Sequence, residues 1–357
     1  MIDSIILAPY YWALKFRHFL YDKGLRKSHR SPVPAICIGN VTVGGTGKTP
    51  VTEMLLRLLG NHPLWYGKNV SVLSRGYGRK SKGFRTVEAD GTARMYGDEP
   101  LQIKRKFRDT VVAVDRDRVE GCNILAGKVR PESQDDCSGL NAGLIILDDA
   151  FQYRRLKADV NIVLMNYGRP IYRDHLLPLG RLRDLPQRIS AADMVIVTKC
   201  PAYLDEWRQG NVAENLGYKG EIFFTKTSYE ALAPVFPEGD QRYVHSQRLI
   251  LFSGIADDSQ MEKYLSDTYR IVSHLKFSDH HRFTASDIRK IGRAADKYPT
   301  AIIVTTEKDS QRIMDRRDIP LHLRERMFRL PIRADFLNEE EAEKFISALD
   351  RHLAAGK

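Results

Sequence analysis

The segment Thr42-Val43-Gly44-Gly45-Thr46-Gly47-Lys48-Thr49 has the residue types that hold phosphate groups. An apolar run precedes it at 33–38, and apolar residues with helical spacing follow at 51–59, so a strand, a turn and a helix are predicted in succession. Glycines let backbone N–H groups approach phosphate oxygens, and a helix N-terminus adds partial positive charge. In such loops the lysine reaches the outer phosphates and the hydroxyl residue ligates Mg²⁺. The segment therefore predicts a nucleoside triphosphate site, with Lys48 and Thr49 in these roles.

This loop departs from the strict phosphate-binding pattern. Thr42 occupies the position of the first glycine, and Val43 stands where the related GGxGKT loops usually carry lysine. The alternative interpretation is a glycine-rich turn with an incidental Lys-Thr pair. The strand before the loop and the helix after it favour nucleotide binding.

Two adjacent carboxylates, Asp148 and Asp149, end a second apolar run at 144–147. In P-loop proteins an acidic residue at such a strand end holds or orients Mg²⁺ beside the phosphates. An acidic residue after an apolar strand is common by itself. Together with Lys48 and Thr49, the pair predicts a magnesium site.

Two further clusters contain groups that activate a hydroxyl acceptor. Asp98 lies in the segment GDEP at 97–100, before a predicted helix, and His280 lies in FSDHHRF at 277–283. A carboxylate, alone or paired with histidine, is a common general base for a hydroxyl group. Spacing alone leaves two ordinary alternatives open: Asp98 as a helix cap, and the histidines as part of a surface loop.

The composition narrows the class of protein. The 357 residues include 56 Lys+Arg and 45 Asp+Glu, a net charge of +11 that suits an anionic partner. The basic residues are spread along the chain without a recognition helix or a basic-aromatic tract, which argues against nucleic acid as that partner. The four cysteines, without CxxC spacing, argue for a reducing compartment and against a zinc site; they are Cys37, Cys122, Cys137 and Cys200.

The N-terminal segment combines aromatic and aliphatic residues with a basic flank. Its apolar residues fall near one helical face, while Lys15 and Arg17 interrupt it too early for a membrane-spanning helix. A secretory signal would place its positive charge first, whereas here it follows. We therefore expect a helix in the membrane interface, attracted by anionic headgroups; packing on the protein's own core is the alternative. The predicted face comprises Ile2, Ile5, Ile6, Pro9, Trp12, Ala13, Phe16, Phe19 and Leu20.

The elements that must position these groups follow from the apolar runs. Strand candidates separated by helix-length segments predict a mainly parallel sheet with helices on both faces; they lie at 35–38, 70–73, 110–114, 144–147, 161–165 and 194–198. A second α/β rhythm begins at residue 248, and the polar stretch at 132–138 predicts an exposed loop. The expected divisions are an amphipathic helix (1–30), a P-loop core (31–220), an extended β linker (221–247) and a C-terminal α/β lobe (248–357).

Eight short motifs occur in a fixed order along nearly the whole chain: GNVTVGGTGKTP (39–50), LSRGYGR (73–79), GDEP (97–100), DDAFQY (148–153), LPLGRLRD (177–184), FSGIAD (252–257), FSDHHRF (277–283) and VTTEKD (304–309). Their order resembles that of the tetraacyldisaccharide 4'-kinase family. Members of that family phosphorylate the 4'-hydroxyl of a tetraacylated glucosamine disaccharide 1-phosphate to form lipid IVA in lipid A biosynthesis.

This resemblance implies a P-loop α/β/α lobe and a smaller α/β/α lobe joined by a short β linker, with the active site between them. It implies ATP and Mg²⁺ as cofactors, Asp98 as the base, assisted by His280, and Lys48 on the phosphates. It also implies a peripheral enzyme on the cytoplasmic face of the bacterial inner membrane. We infer no obligate protein partner from the sequence. Candidate contacts to the sugar–phosphate headgroup are Ser74, Arg75, Gln152, Arg183 and Asp184.

Three residues depart from the family's usual motifs. Ala150 and Tyr153 stand in DDAFQY where the family has DDGFQH, and Asp184 stands where glutamate is frequent. Tyrosine can hydrogen-bond but does not become a cation near neutral pH. The main rival function is a membrane-tethered P-loop ATPase or GTPase without a small-molecule acceptor. A nucleic-acid-dependent ATPase and a kinase for another lipid or sugar are further alternatives.

Overall fold

The computed structural model describes residues 2–130 and 140–355, and side chains from residue 7 onward. The loop predicted at 132–138, which contains Cys137, lies outside the described residues. So do the side chains of Ile2, Ile5 and Ile6 from the predicted apolar face. Each strand predicted at 35–198 is present, with its ends within two residues of the predicted ones.

Helices and strands alternate through most of the chain. The helices are α1 (Ile2–Asp22), α2 (Lys48–Gly60), α3 (Ala93–Tyr96), α4 (Asp98–Lys106), α5 (Arg118–Leu125), α6 (Glu206–Leu216), α7 (Ser259–Ser266), α8 (Ala285–Lys297), α9 (Glu307–Met314), α10 (Leu321–Arg324) and α11 (Glu339–Ala355). The strands are β1 (His29–Arg30), β2 (Ala35–Gly39), β3 (Val70–Ser74), β4 (Arg85–Thr86), β5 (Val111–Val114), β6 (Leu144–Asp148), β7 (Leu156–Lys157), β8 (Val160–Asn166), β9 (Met194–Cys200), β10 (Glu221–Tyr229), β11 (Ala233–Pro234), β12 (Arg248–Ser253), β13 (Arg270–Lys276), β14 (Ile302–Thr306), β15 (Met327–Leu330) and β16 (Ile332–Phe336).

The first lobe is built on a nine-stranded sheet in the order β16-β10-β9-β8-β2-β6-β3-β5-β4. The seven strands from β10 to β5 pair in parallel, and the two edge strands pair antiparallel. Every residue of β2 is buried, with Ile36 and Ile38 in one core cluster and Ala35 and Cys37 in the other. A parallel sheet covered on both faces requires such continuous apolar strands.

The second lobe contains a five-stranded sheet in the order β11-β15-β14-β12-β13. All pairs except β11 with β15 are parallel. Along β12 the apolar residues again alternate between two core clusters, with Ile250 and Phe252 in one and Leu249 and Leu251 in the other. The prediction of two α/β lobes is confirmed.

The chain crosses between the lobes twice, which changes the predicted divisions. Residues 221–229, expected in the linker, form β10 within the first sheet. Strand β16 pairs with β10, and α11 packs Phe345 and Leu349 into the core that contains Ile36, so residues 332–355 belong to the first lobe. The expected lobe of 248–357 is therefore wrong in its last part, because β10 leaves an open edge that β16 fills. The two crossings lie side by side, with Glu230 N donating to Pro331 O at 3.0 Å.

Helix α1 has one face on the protein and one face in solvent. Leu14 and His18 are buried against the first lobe, whereas Trp12, Phe16 and Phe19 are 60%, 63% and 48% exposed. Packing on the core and an exposed aromatic face therefore coexist on this helix. Among the described residues, no helix combines the length and the apolar character needed to cross a bilayer.

Candidate active site

The P-loop (residues 42–49) lies at the carboxyl edge of the first sheet, between β2 and α2. Gly44 and Gly47 have φ of 95° and 82°, a left-handed backbone that glycine adopts without steric cost. Thr198 Oγ1 donates to Thr46 O at 2.8 Å and so fastens the loop to β9. The loop lines a cavity of about 500 Å³ whose other walls include residues of both lobes. Ligands of open α/β sheets bind at this edge, where β2 lies between β6 and β8.

Asp148 is a buried carboxylate, and only one of its two oxygen atoms accepts a hydrogen bond from the described residues. Its Oδ2 accepts from Ser74 Oγ at 3.0 Å, and its Oδ1 is buried without a hydrogen-bond partner among the described residues. Burial and the nearby charges of Glu99 and Asp149 raise the pKa of Asp148 to about 7. An unpartnered carboxylate oxygen next to Asp149 fits a divalent cation. Asp149 and Thr49 line the cavity, whereas Asp148 is not among its lining residues.

Asp149 has basic partners that Asp148 lacks. Arg183 Nη1 donates to Asp149 Oδ2 at 3.1 Å, Nη2 donates to Oδ1, and Lys48 Nζ lies 3.8 Å from Oδ1. Burial opposes ionisation, but Lys48 and Arg183 hold the pKa of Asp149 below its ordinary value. The φ of Asp149 is 50°, an uncommon conformation for a non-glycine residue that is found at functional sites. The fork from Arg183 fixes this carboxylate in orientation.

Asp98 lies at the start of α4 and is paired with basic groups of the second lobe. His280 Nδ1 lies 3.5 Å from Asp98 Oδ2, Arg312 Nε donates to the same oxygen at 3.1 Å, and Lys308 Nζ lies 3.9 Å from it. Burial opposes ionisation, but these three groups hold the pKa of Asp98 well below its usual range. The preceding Gly97 passes so close to Gly76 that a Cβ there would lie 3.2 Å from Gly76 Cα.

The two histidines of FSDHHRF have different partners. The ring of His280 lies against Asp98 and meets the Tyr77 ring edge-on at 5.4 Å, so it bridges the lobes. His281 Nε2 bonds to Asp287 Oδ2 at 2.9 Å, and Asp287 forms the capping box of α8 with Thr284. His281 therefore holds its own lobe together, and His280 is the histidine of the site.

A buried polar cluster joins the P-loop helix to the second lobe. Glu53 of α2 accepts from Gln102 Nε2 at 2.9 Å and from Lys106 Nζ at 2.8 Å. Both of these donors also reach Glu307 Oε2 of α9, each at 3.3 Å. Because a buried charge is costly without such partners, the cluster fixes α9 relative to α2 and α4.

Of the five residues predicted to contact the headgroup, some are held by bonds within the protein, and others are exposed or line the cavity. Ser74 donates to Asp148, and Gln152 donates through its amide to Asn40 O. Asp184 is fully buried and bonds to His18 at 2.6 Å, so it is closed to a headgroup, and the expectation for it is corrected. Arg75 is exposed, and Arg183 lines the cavity beside Asp149.

Helix α1 contacts this same segment. His18 Nε2 meets Asp184 Oδ1, Tyr10 Oη donates to Arg183 O at 2.9 Å, and Arg17 Nη2 donates to Gln152 O at 2.5 Å. The backbone N–H of Arg183 donates to Val41 O, immediately before the P-loop. The aromatic helix is thus bonded directly to the segment that holds Asp149.

Three basic residues of the site were not predicted. Lys308 and Arg312 are four residues apart on α9, so they share one helix face; this spacing is visible in the sequence, but it is equally common on solvent-exposed helices. Arg118 donates to Asp149 O at 3.4 Å and lies 5.2 Å from the centre of the Tyr153 ring. Tyr153, at the departure from the family motif, also donates to Asp117 Oδ1 at 3.0 Å. Tyr153 therefore packs against Arg118.

A family model described as "Tetraacyldisaccharide-1-P 4'-kinase" matches residues 4–353. Among the similar curated proteins, a tetraacyldisaccharide 4'-kinase of Phocaeicola vulgatus is 39% identical over 334 residues, which are 91% of this chain and 87% of the relative. One from Parabacteroides distasonis is 36% identical over 350 residues, which are 95% of this chain and 91% of the relative.

A solved structure has the same architecture. The crystal structure of LpxK from Aquifex aeolicus in complex with ATP matches with a TM-score of 0.71 and 28% identity. The match covers 99% of this chain and all of that one. The family model spans both described lobes, and the two relatives are more than 30% identical over most of their length. The chain therefore belongs to the tetraacyldisaccharide 4'-kinase family.

Proposed function

We propose that this protein transfers the γ-phosphoryl group of ATP to the 4'-hydroxyl of a tetraacylated glucosamine disaccharide 1-phosphate, with Asp98 as the acceptor base. The proposal is supported chiefly by one cavity that both lobes line. The first lobe contributes the P-loop, and the second contributes His280 and Lys308, which contact Asp98. The P-loop thus shares its cavity with two partners of Asp98, and this arrangement suits phosphoryl transfer between two bound molecules.

On the nucleotide side, the P-loop amides and Lys48 bind the phosphates. Asp148 and Thr49 are the residues that would hold Mg²⁺, which supplies positive charge to the phosphate oxygens when bound. Arg183 and Lys48 orient Asp149, and Arg118 adds a further cation beside it. These groups act by positioning and by electrostatic stabilisation of the transferred group.

On the acceptor side, Asp98 orients the sugar hydroxyl and receives its proton. The low pKa of Asp98 keeps the carboxylate ionised and makes it a weak base. Phosphoryl transfer tolerates this weakness, because the transition state is loose and little proton transfer is needed early. His280 is a positioning residue for Asp98, while Arg312 and Lys308 supply positive charge that a transferring phosphoryl group shares.

The lipid part of the substrate accounts for helix α1. Trp12, Phe16 and Phe19 form an exposed aromatic face on a helix followed by basic residues, which suits insertion into an anionic bilayer interface. We place the protein as a peripheral enzyme on the cytoplasmic face of the inner membrane, where ATP is available. We retain exposed Arg75 as a headgroup contact, since guanidinium groups bind phosphate bidentately. Arg183 lines the cavity, but its Nη1 and Nη2 already donate to Asp149.

The decisive experiment follows the label of γ-phosphate-labelled ATP in mixed micelles of tetraacyldisaccharide 1-phosphate with Mg²⁺, beside a lipid-free control. We expect labelled lipid, and no labelled lipid in a chelator. Label that appears only as inorganic phosphate, at one rate with or without lipid, would instead establish the rival membrane-tethered ATPase.

A further inference from the structure

We propose that Lys199 is a second nucleotide-binding lysine that contacts ATP on the side of the P-loop away from Asp149. The inference rests on the proposed function in one respect, namely that ATP is the ligand of the cavity. Lys199 lines that cavity, and its Nζ lies 3.7 Å from the position that a Cβ on Gly45 would occupy. The ammonium is thus beside the phosphate-binding backbone, at a place unrelated to Asp98.

The strand order determines which part of the nucleotide Lys199 meets. The P-loop follows β2, with β6 on one side and β8 then β9 on the other. Asp148 and Asp149 at the end of β6 mark the side of the transferred phosphate. A nucleotide laid along this edge extends its remaining part toward β8 and β9, where Lys199 lies. Lys199 is therefore predicted to meet the inner phosphates or the ribose.

The backbone of Lys199 is distorted in a way that brings its side chain to the loop. Neighbouring side chains of a regular strand point to opposite faces of a sheet. Here Thr198 bonds to Thr46 O, yet Lys199 also approaches the P-loop at Gly45. The φ of 57° at Lys199 breaks the alternation. Left-handed conformations of non-glycine residues are costly and concentrate at functional sites, so this one suits a ligand contact.

The ammonium of Lys199 has no hydrogen bond or ion pair in the part of the chain that the structure describes, although the side chain is partly buried. Burial lowers the pKa of Lys199, and Asp257 acts in the opposite direction. Asp257 already pairs with Arg169 across the lobes at 3.0 Å. A partly buried ammonium gains from an oxygen ligand, and the phosphate chain or ribose supplies one.

Lys199 lies away from the groups that we assign to the phosphoryl-transfer step. It makes no contact with the Asp98 cluster or with the aspartates of the metal site, so its interaction is equally present before and during phosphoryl transfer. An interaction of this kind lowers KM without raising kcat. Lys48, by contrast, lies beside Asp149, where the charge of the transferred group develops.

The test compares Lys199→Asn, Lys199→Gly and Lys199→Arg with the wild type by calorimetric titration of Mg²⁺–ATP, ADP, AMP and adenosine. Asparagine and glycine tolerate the left-handed backbone and remove the ammonium. Lys219→Asn, at an exposed lysine of the same lobe, is the control for loss of surface charge. We expect about 10–100-fold weaker ATP binding in the Asn and Gly variants, partial recovery in Arg, and kcat at saturating ATP within about threefold.

The nucleotide series identifies the contacted group. Loss that is equal for ATP and ADP but absent for AMP assigns Lys199 to the β-phosphate. Loss that extends to AMP but is absent for adenosine assigns it to the α-phosphate, and loss that persists for adenosine assigns it to the ribose. Wild-type affinity in both the Asn and Gly variants, confirmed as folded by their melting temperatures, would overturn the proposal. A wild-type protein that binds none of these nucleotides would instead overturn the proposed function itself, and a kcat loss at unchanged affinity would place Lys199 in the chemical step.

Discussion

Asp98 and Asp148 are two buried carboxylates of one site with opposite electrostatic surroundings. Asp98 is contacted by Arg312, Lys308 and His280 of the second lobe, so its charge is compensated within the protein and its pKa is low. Asp148 has acidic neighbours, its Oδ1 has no hydrogen-bond partner within residues 2–130 and 140–355, and its pKa is about 7. The charge of the first carboxylate is compensated where the lobes meet, whereas the second is the carboxylate that we propose as a ligand of Mg²⁺.

The largest expected effect comes from removing the charge of Asp98. In Asp98→Asn we expect kcat for lipid phosphorylation to fall by about 10³-fold, within the usual range for loss of a general base. The affinity for Mg²⁺–ATP should be unchanged, because Asp98 lies on the acceptor side. Rate assays with saturating lipid, beside nucleotide titrations, separate the two quantities.

Asp109→Asn is the matched control for this variant, since Asp109 is an exposed aspartate just beyond α4. It should retain wild-type kcat and KM. Near-normal lipid phosphorylation by Asp98→Asn would show that the acceptor base has been assigned to the wrong residue.

The next effect tests the other carboxylate. Asp148→Asn removes the anionic ligand, so we expect about 100-fold weaker activation by Mg²⁺, at the upper end of losses seen when groups around a metal are changed. Metal-free ATP should bind this variant at least as tightly as the wild type, because a negative charge near the phosphates is gone. Titrations of Mg²⁺ in the rate assay and of ATP in a chelator measure the two changes. Weaker metal-free ATP binding would contradict a cation-holding role.

The residues of the nucleotide half were predicted from their own spacing, whereas in the acceptor half the resemblance supplied Asp98 and His280 but not Lys308 and Arg312. Lys48, Thr49, Asp148 and Asp149 follow apolar strands of one parallel sheet, and such strands bring their carboxyl ends to one edge. The contact of Asp98 with Arg312 joins residues 214 positions apart on different lobes, which no local pattern encodes. Motif order supplied His280 but gave no signal for Arg312.

The lobe boundary failed for a similar reason. Strand β16 and helix α11, at 332–355, follow the α/β rhythm that begins at residue 248, and this rhythm does not indicate which sheet they join. Pairing of β16 with β10 depends on the open edge of β10, more than 100 residues earlier. Asp184 is a parallel case, because its burial beneath His18 depends on where α1 docks.

A smaller effect tests how the second lobe sets the pKa of Asp98. Arg312→Gln removes the fork on this carboxylate, so the pKa of Asp98 rises toward its ordinary value. The acid limb of the pH–kcat profile should then move to higher pH, since protonated Asp98 is inactive as a base. We also expect kcat to fall about tenfold at neutral pH, in line with about 1.5–3 kcal/mol for a hydrogen bond to a charged group.

Exposed Arg317, five residues further along the chain, gives the matched control Arg317→Gln. Its pH profile should coincide with that of the wild type. An acid limb in Arg312→Gln that stays in place or moves to lower pH would mean that Arg312 does not act through Asp98.

The smallest effect concerns stability, and it distinguishes the two aspartates without any substrate. The folded pKa of Asp148, about 7, lies above the ordinary value of 3.8, so the folded state holds a proton that the unfolded state releases. Stability must then fall as pH rises from about 4 to 7. Asp98 has the opposite shift, and its contribution is constant above pH 5 because both states are ionised there. In a chelator, the melting temperature of the wild type should therefore drop by about 2–4 °C more than that of Asp148→Asn between pH 5 and pH 8.

Two controls accompany this measurement. Asp98→Asn should keep the wild-type dependence of melting temperature on pH. Mg²⁺ with ADP should remove the wild-type decline, because binding favours ionised Asp148. Equal slopes for the wild type and Asp148→Asn would mean that Asp148 is already ionised in the folded protein, and the contrast between the two carboxylates would not hold.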